Sequence, residues 1–223
     1  MFMNEMMIVS SPQGGKYLPP PAPTGYQFLA VADNSMTPDL AGNKISTNRS
    51  GVSKDVVDGH DVILNTQGGF IQYNYGLNLS AIRRGARIDT MVYLDPAVDF
   101  YPSGLYPTMV GFAGIDTLDY WSFGVKFLNG ATVLCFYVWD GSNPVQLNST
   151  VPINKGWHLL SYEMKADGVH LYVDEKEVLF RAVSNTEFQT WSNAQGGVSA
   201  SPLTLFRAAG QLLRTRTAWT SIK

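Results

Sequence analysis

A single cysteine, Cys135, in 223 residues excludes an intrachain disulfide and a cysteine-based zinc site. Charge is scarce too: Asp, Glu, Lys and Arg make up 15% of the chain against the usual quarter. The 16 basic and 18 acidic side chains leave a formal net charge of −2, which removes the basic footprint that sequence-independent nucleic-acid binding requires. Long apolar runs are missing. The strongest, Ala131 to Trp139, has nine residues, strand length and well short of the roughly 20 that span a bilayer as a helix, so no membrane insertion is expected. The stretch Met1 to Ser11 carries Glu5 and lacks a basic segment followed by an apolar one, so it does not read as a secretory signal. Helical patterning is weak as well. Leu77 to Ala86 and Thr186 to Asn193 have room for a turn or two, but neither sustains an apolar stripe of period 3.6.

What the chain does have is 45% apolar and 12% aromatic residues, enough to bury a large core in a single domain. Residues 1–25 stand apart: Pro19-Pro20-Pro21 favours extended polyproline geometry, and the segment reads as an arm ahead of one domain over 26–223. From Tyr26 onward, short apolar stretches alternate with clusters of Gly, Asn, Asp, Ser and Pro, the punctuation of strands and turns. In Trp121 to Phe127, Trp121, Phe123, Val125 and Phe127 share one face, and Ser122, Gly124 and Lys126 the other, which predicts a half-buried strand. Ala131 to Trp139 is apolar on both faces and predicts a central strand. Asn129-Gly130 joins the two as a type I′ hairpin turn, because both residues tolerate positive φ. A second hairpin is expected where Lys165 to Gly168 connects Trp157–Met164 with Val169–Val173. Close-spaced strands without intervening helices indicate two β-layers.

Gly156-Trp157-His158-Leu159-Leu160-Ser161-Tyr162, followed by Gly168-Val169-His170-Leu171-Tyr172-Val173-Asp174, resembles the laminin-G-like, concanavalin A-like lectin/glucanase superfamily. Thr37 to Asn43 is similar to the Asp-x-x-Gly-Asn stretch that opens many such domains. Leu203 to Arg207 and Thr217 to Ile222 fall where the family places its last two strands. Where many relatives have Gly after the Asp, this chain has Glu175-Lys176. The resemblance implies an all-β fold, a two-sheet antiparallel β-sandwich of the concanavalin A-like jelly-roll type, with its N- and C-terminal strands side by side.

Relatives in that superfamily include glycoside hydrolases, so paired carboxylates are the first chemistry to seek; retaining hydrolysis needs two about 5 Å apart. The hydrolase signature Glu-x-Asp-x-x-Glu is absent, the cluster Asp174 to Glu177 reads as a solvated hairpin turn, and Glu163 reads as a surface charge. No Gly-x-Ser-x-Gly elbow appears. No catalytic residue and no cofactor are assigned. For calcium, the candidate ligands are Asp116 and Asp119, against the plainer reading of turn-forming side chains. Sugar binding asks only for an aromatic platform and a few polar groups. Tyr120, Trp121, Trp139, Asp140 and Asn143 are the candidates, against the alternative of core and rim packing. Two local basic groups, Arg83, Arg84 and Arg87, then Arg207, Arg214 and Arg216, read as pairing residues and not as a phosphate track.

A glycan-associated fold without an export signal or disulfides, carried behind a Pro-rich arm, fits a protein assembled inside a host and released by lysis. The expectation is a non-enzymatic bacteriophage virion surface protein, a capsid decoration or tail adhesin. Its expected partners are other virion proteins, further copies of itself in a homo-oligomer, and a surface glycan. A glucanase-type glycoside hydrolase and a free carbohydrate-binding module are the alternatives.

Overall fold

The computed structural model describes residues 28–31, 46–73, 84–99, 110–112, 121–194, 203–205 and 215–223. The arm over 1–25, the Thr37–Asn43 stretch, Tyr120, Asp116 and Asp119 lie outside them. Among the described residues the strands are β1 Phe28–Val31, β2 Ser46–Val57, β3 His60–Tyr73, β4 Arg87–Leu94, β5 Val110–Phe112, β6 Trp121–Leu128 and β7 Ala131–Trp139. They continue with β8 Pro144–Asn148, β9 Gly156–Met164, β10 Gly168–Val173, β11 Lys176–Ala182, then helix α1 Asn185–Ala194, β12 Leu203–Leu205 and β13 Thr215–Ile222.

All pairings are antiparallel, and the hydrogen-bonded order is β11-β10-β9-β4-β13-β3-β12-β5-β6-β7-β8, with β1 added on β13 and β2 on β3. This ribbon folds over itself as a two-sheet β-sandwich of the jelly-roll type. Strand β3 links the layers: its first half pairs with β13 at Ile63 to Asn65, its second with β12 at Ile71 to Tyr73. Between the layers, Ile88, Val92, Leu160, Tyr162, Val169 and Leu171 meet Phe123, Val125, Leu134, Phe136 and Val138. Tyr162 stacks on Phe136 at 4.5 Å between ring centroids, which locks the two sheets face to face. The terminal strands lie side by side, with Phe28 opposite Ile222.

Turn chemistry sets the registers. Asn129 and Gly130 adopt φ of 50° and 84°, joining β6 to β7 in a two-residue turn with Leu128 opposite Ala131. Asp58-Gly59, at 51° and 85°, does the same between β2 and β3. Asp174-Glu175, at 52° and 64°, closes β10 on β11 without any glycine. A β-carbon on Gly168 would stand 2.1 Å from the Arg181 carbonyl oxygen, so only glycine lets β10 start this close to β11.

Two expectations change. Strand β6 is not half-buried: Ser122, Gly124 and Lys126 are enclosed as fully as Phe123 and Val125, while Phe127 is exposed. The strand sits inside the sheet between β5 and β7, and Phe127 lies one residue pair from the Asn129–Gly130 turn, outside the packed cluster. The weak helical signal near Thr186 becomes a ten-residue helix. Ser184 accepts a hydrogen bond from Glu187 N–H at its start, and Trp191 inserts into the core.

Candidate functional site

Register places a polar strip on the face of β6, β7 and β8 turned away from the aromatic core, where Ser122, Gly124, Cys135, Tyr137 and Lys126 are themselves enclosed. Ser122 faces Tyr137, which faces Gln146, while Gly124 faces Cys135, which faces Asn148. Side chains alternate along a strand, so these residues share one face with Lys126 and Trp139, and the intervening Phe123, Val125, Leu134 and Phe136 turn inward. Lys126 Nζ donates to Gln146 Oε1 at 3.1 Å across the position of Cys135. Burial pushes the Cys135 thiol up to about 12, against the opposing pull of the Lys126 charge and a hydrogen bond to Gln146, so it is no nucleophile. Among the described strands β8 is last in the hydrogen-bonded order, and Trp139, Gln146 and Asn148 are half-buried there.

Of the sugar-site candidates, Trp139, Asp140 and Asn143 come together at the β7–β8 turn. Trp139 faces Pro144 across the strand pair. Asp140 Oδ1 accepts from the backbone N–H groups of Ser142 at 2.8 Å and Asn143 at 2.6 Å. Those bonds, Asn143 first, hold the Asp140 carboxyl below the usual carboxylate range. Asp140 therefore builds the turn. Trp121 does not belong to the group: its register with Val138 points the indole into the core, where it is fully buried and offers no platform. Alternation assigned Ser122 and Lys126 to the face opposite the core, but the convergence of Lys126 with Gln146, from a strand two places away, needed the sheet order.

Elsewhere several described carboxylates meet cations or backbone. Asp89 receives both bonds from Arg87 Nε at 2.9 Å and one from the Ser161 hydroxyl at 2.6 Å. Asp95 and Asp99, both buried, flank one turn whose middle residues 96–98 are exposed, the first held by Lys155 at 2.6 Å and the second by Arg216 at 2.9 Å. Lys155 holds the Asp95 carboxyl below the usual range. Glu163 lies between Arg87 at 3.5 Å and Lys165 at 3.7 Å. Arg84 donates to the carbonyls of Lys165 and Val183. Arg84, Arg87 and Arg216 thus serve intramolecular pairing, while Arg83, Arg207 and Arg214 lie outside the described residues.

The acidic hairpin proves less solvated than its sequence implies. Asp174 is exposed, yet Oδ1 accepts from Leu159 N–H at 2.9 Å and Oδ2 lies 2.8 Å from His158 Nδ1, tying the β10–β11 turn back to β9. Glu177 Oε2 and Asp167 Oδ1 take the two nitrogens of His170, at 2.6 Å and 2.9 Å. Neither histidine joins a metal cluster; among the described residues no group of three or more His, Cys, Asp or Glu side chains is placed to hold an ion. No described helix is long and apolar enough to cross a membrane.

No protein-family model and no curated protein matches the sequence. Solved structures do. The binding domain of Paraclostridial mosquitocidal protein 1 superposes with a TM-score of 0.58 at 9% identity, covering 88% of this chain and 48% of that one. The binding domain of botulinum neurotoxin DC, in complex with rat synaptotagmin II, gives 0.57 at 10% identity over 88% and 47%. This chain therefore spans about half the length of these two domains. Domain 4 of AbnA, an extracellular arabinanase of Geobacillus stearothermophilus in complex with arabinotriose, gives 0.57 at 13% identity over 88% and 91%. What the chain shares with these proteins, at identities this low, is their fold: a lectin-like β-sandwich.

Proposed function

We propose that the chain is a non-enzymatic glycan-binding module displayed on a bacteriophage virion, as a capsid decoration or tail adhesin, and attached through residues 1–25. The observation that carries the binding role is the half-buried β8 strand, where Trp139 faces Pro144 and the Gln146 and Asn148 amides follow further along the same face, opposite Tyr137 and Cys135. An aromatic face for the apolar side of a pyranose, with amides for its hydroxyls, is what carbohydrate recognition asks of a surface. The engagement of Asp89, Asp95, Asp99, Glu163 and Glu177 with cationic or histidine side chains supports a role without turnover. The solved complex of a similarly folded arabinanase domain with arabinotriose points the same way. The virion placement rests on the Pro-rich composition of residues 1–25.

A glycan array probed with the intact chain tests the binding role. The expected result is a defined set of retained glycans, lost in Trp139→Ala; turnover of a polysaccharide panel would replace this reading with the glucanase-type alternative. Deleting residues 1–25 should abolish incorporation into particles while leaving the sandwich folded by circular dichroism. Unchanged incorporation would remove the docking role of the arm.

A further inference from the structure

Asn129 stands apart among the asparagines of the chain, because it alone precedes a glycine. Both residues of the Asn129–Gly130 turn are exposed, and nothing lies within 4 Å of the place a β-carbon on Gly130 would take. The ladder closes at Leu128 opposite Ala131 and leaves the Gly130 N–H outside it. A backbone nitrogen without steric cover thus adjoins a side-chain amide in contact with water. The other described asparagines lack this combination. Asn143 precedes Pro144, which has no amide proton to lose. After Asn148, the Ser149 N–H donates to the Leu134 carbonyl at 2.8 Å. Asn185 and Asn193 lie in α1, Asn48 and Asn65 lie in β2 and β3, and Asn154 precedes a lysine. The pairs Asp58–Gly59, Asp140–Gly141 and Asp167–Gly168 carry carboxylates, which are poorer electrophiles than an amide. Asp140 and Asp167 are also held by hydrogen bonds, from Ser142 and Asn143 N–H and with His170.

From this arrangement we infer that Asn129 is a site of spontaneous deamidation, with water as the co-reactant. The Gly130 nitrogen gives its proton to solvent base and attacks Asn129 Cγ. The new C–N bond closes a cyclic imide as the side-chain nitrogen takes up a proton and leaves as ammonia. Water then cleaves one of the two imide C–N bonds. Cleavage at Cγ yields an aspartyl residue, and cleavage at the main-chain carbonyl yields an isoaspartyl residue. The sum is amide plus water to acid plus ammonia, with no change of oxidation state. Ring closure takes Asn129 out of its left-handed turn geometry, φ 50°, so the reaction passes through a momentary opening of the turn. Asn129, Gly130 and Phe127 are all exposed, the setting of a low-stability chain end, whereas the Asp174–Glu175 turn is tied to β9 through the Leu159 N–H. The two products differ in consequence. Aspartate leaves the main chain unchanged, and Asp58–Gly59 already holds such a turn at φ of 51° and 85°. Isoaspartate adds a methylene to the main chain inside a turn whose two residues set the β6–β7 register.

The test is timed incubation of the full chain at mildly alkaline pH, followed by proteolysis and mass spectrometry that separates aspartyl from isoaspartyl peptides. A free peptide spanning Phe127 to Thr132 runs beside it. The expected result is conversion of Asn129 in the native chain to both products, more slowly than in the peptide and ahead of every other described asparagine. Asn129→Gly keeps a turn-compatible pair and should fold without any conversion at that position. Asn129→Asp should keep the thermal midpoint of the parent protein, while the isoaspartyl fraction exchanges its amide hydrogens faster at Leu128 and Ala131. An Asn129 that stays fully intact while the peptide converts completely overturns the inference, as does faster conversion at Asn154 or at another described asparagine. Unchanged exchange in the isoaspartyl fraction overturns the effect on register.

Discussion

Single positions in this protein are constrained by backbone geometry more tightly than by chemistry. Gly168 has φ of 156°, and the Arg181 carbonyl oxygen occupies the place a β-carbon would take. Gly168→Ala should therefore cost about 2–3 kcal/mol, by forcing the start of β10 away from β11. Urea unfolding checks this, and a loss below the scatter of surface substitutions would refute the close approach. Glycine at 168 stands out in the sequence as part of a hairpin loop, but nothing local to it announces a carbonyl across the ladder. Cys135 teaches the same lesson in reverse. The lone cysteine excludes a disulfide from sequence alone, but only its enclosure between β6 and β8, with the thiol pushed up to about 12, shows it to be inert. Its alkylation at pH 8 should be negligible in the native state and become rapid on denaturation; fast native labelling would contradict the burial.

At the scale of elements, hairpins were legible because their signals are local. Asn129-Gly130 dictates positive φ and hence the β6–β7 register, and Asp58-Gly59 carries the same signal for β2 and β3. The Asp174-Glu175 turn departs from that chemistry, since Glu175 holds φ of 64° without being glycine. Its stability comes from tertiary ties: Asp174 accepts from Leu159 N–H and contacts His158, while Glu177 and Asp167 grip His170. Asp174→Ala should accordingly destabilise the protein by about 1–3 kcal/mol, the cost of leaving the partly buried Leu159 N–H and its neighbour unmet. Hydrogen exchange should accelerate first in the β10–β11 hairpin and not in β6–β7. Uniform acceleration across both sheets would show that the hairpin has no independent stability. The α1 helix has no sustained helical periodicity, yet Ser184-Asn185-Thr186-Glu187 has the spacing of an N-terminal cap, which the hydrogen bond from Glu187 N–H to Ser184 realises.

At the scale of the whole molecule, distant segments are held together by ion pairs as well as by the aromatic core. Lys155, ahead of β9, grips Asp95 after β4, and Arg216 of β13 grips the adjacent Asp99. Because Lys155 holds the folded Asp95 carboxyl below its unfolded value, the pair stabilises the native state above the unfolded carboxylate range and loses that contribution as pH falls through the folded value. Asp140, through the backbone donors of Asn143 and Ser142, and Asp167, through His170, act in the same direction. The thermal midpoint should drop between pH 5 and about pH 3, and Lys155→Ala should show a shallower drop; an identical pH profile in the variant would remove Asp95 from the account. Alternating apolar residues, paired turn residues and the near absence of helical periodicity determined, from sequence alone, that this chain builds antiparallel β-layers, since strand faces and hairpin turns are encoded within a few neighbouring residues. Only the tertiary structure decided that Trp121 is core, that Lys126 lies buried against Gln146, and that Asp99 meets Arg216. Such contacts join strands remote in sequence, and no local pattern fixes which strands become neighbours.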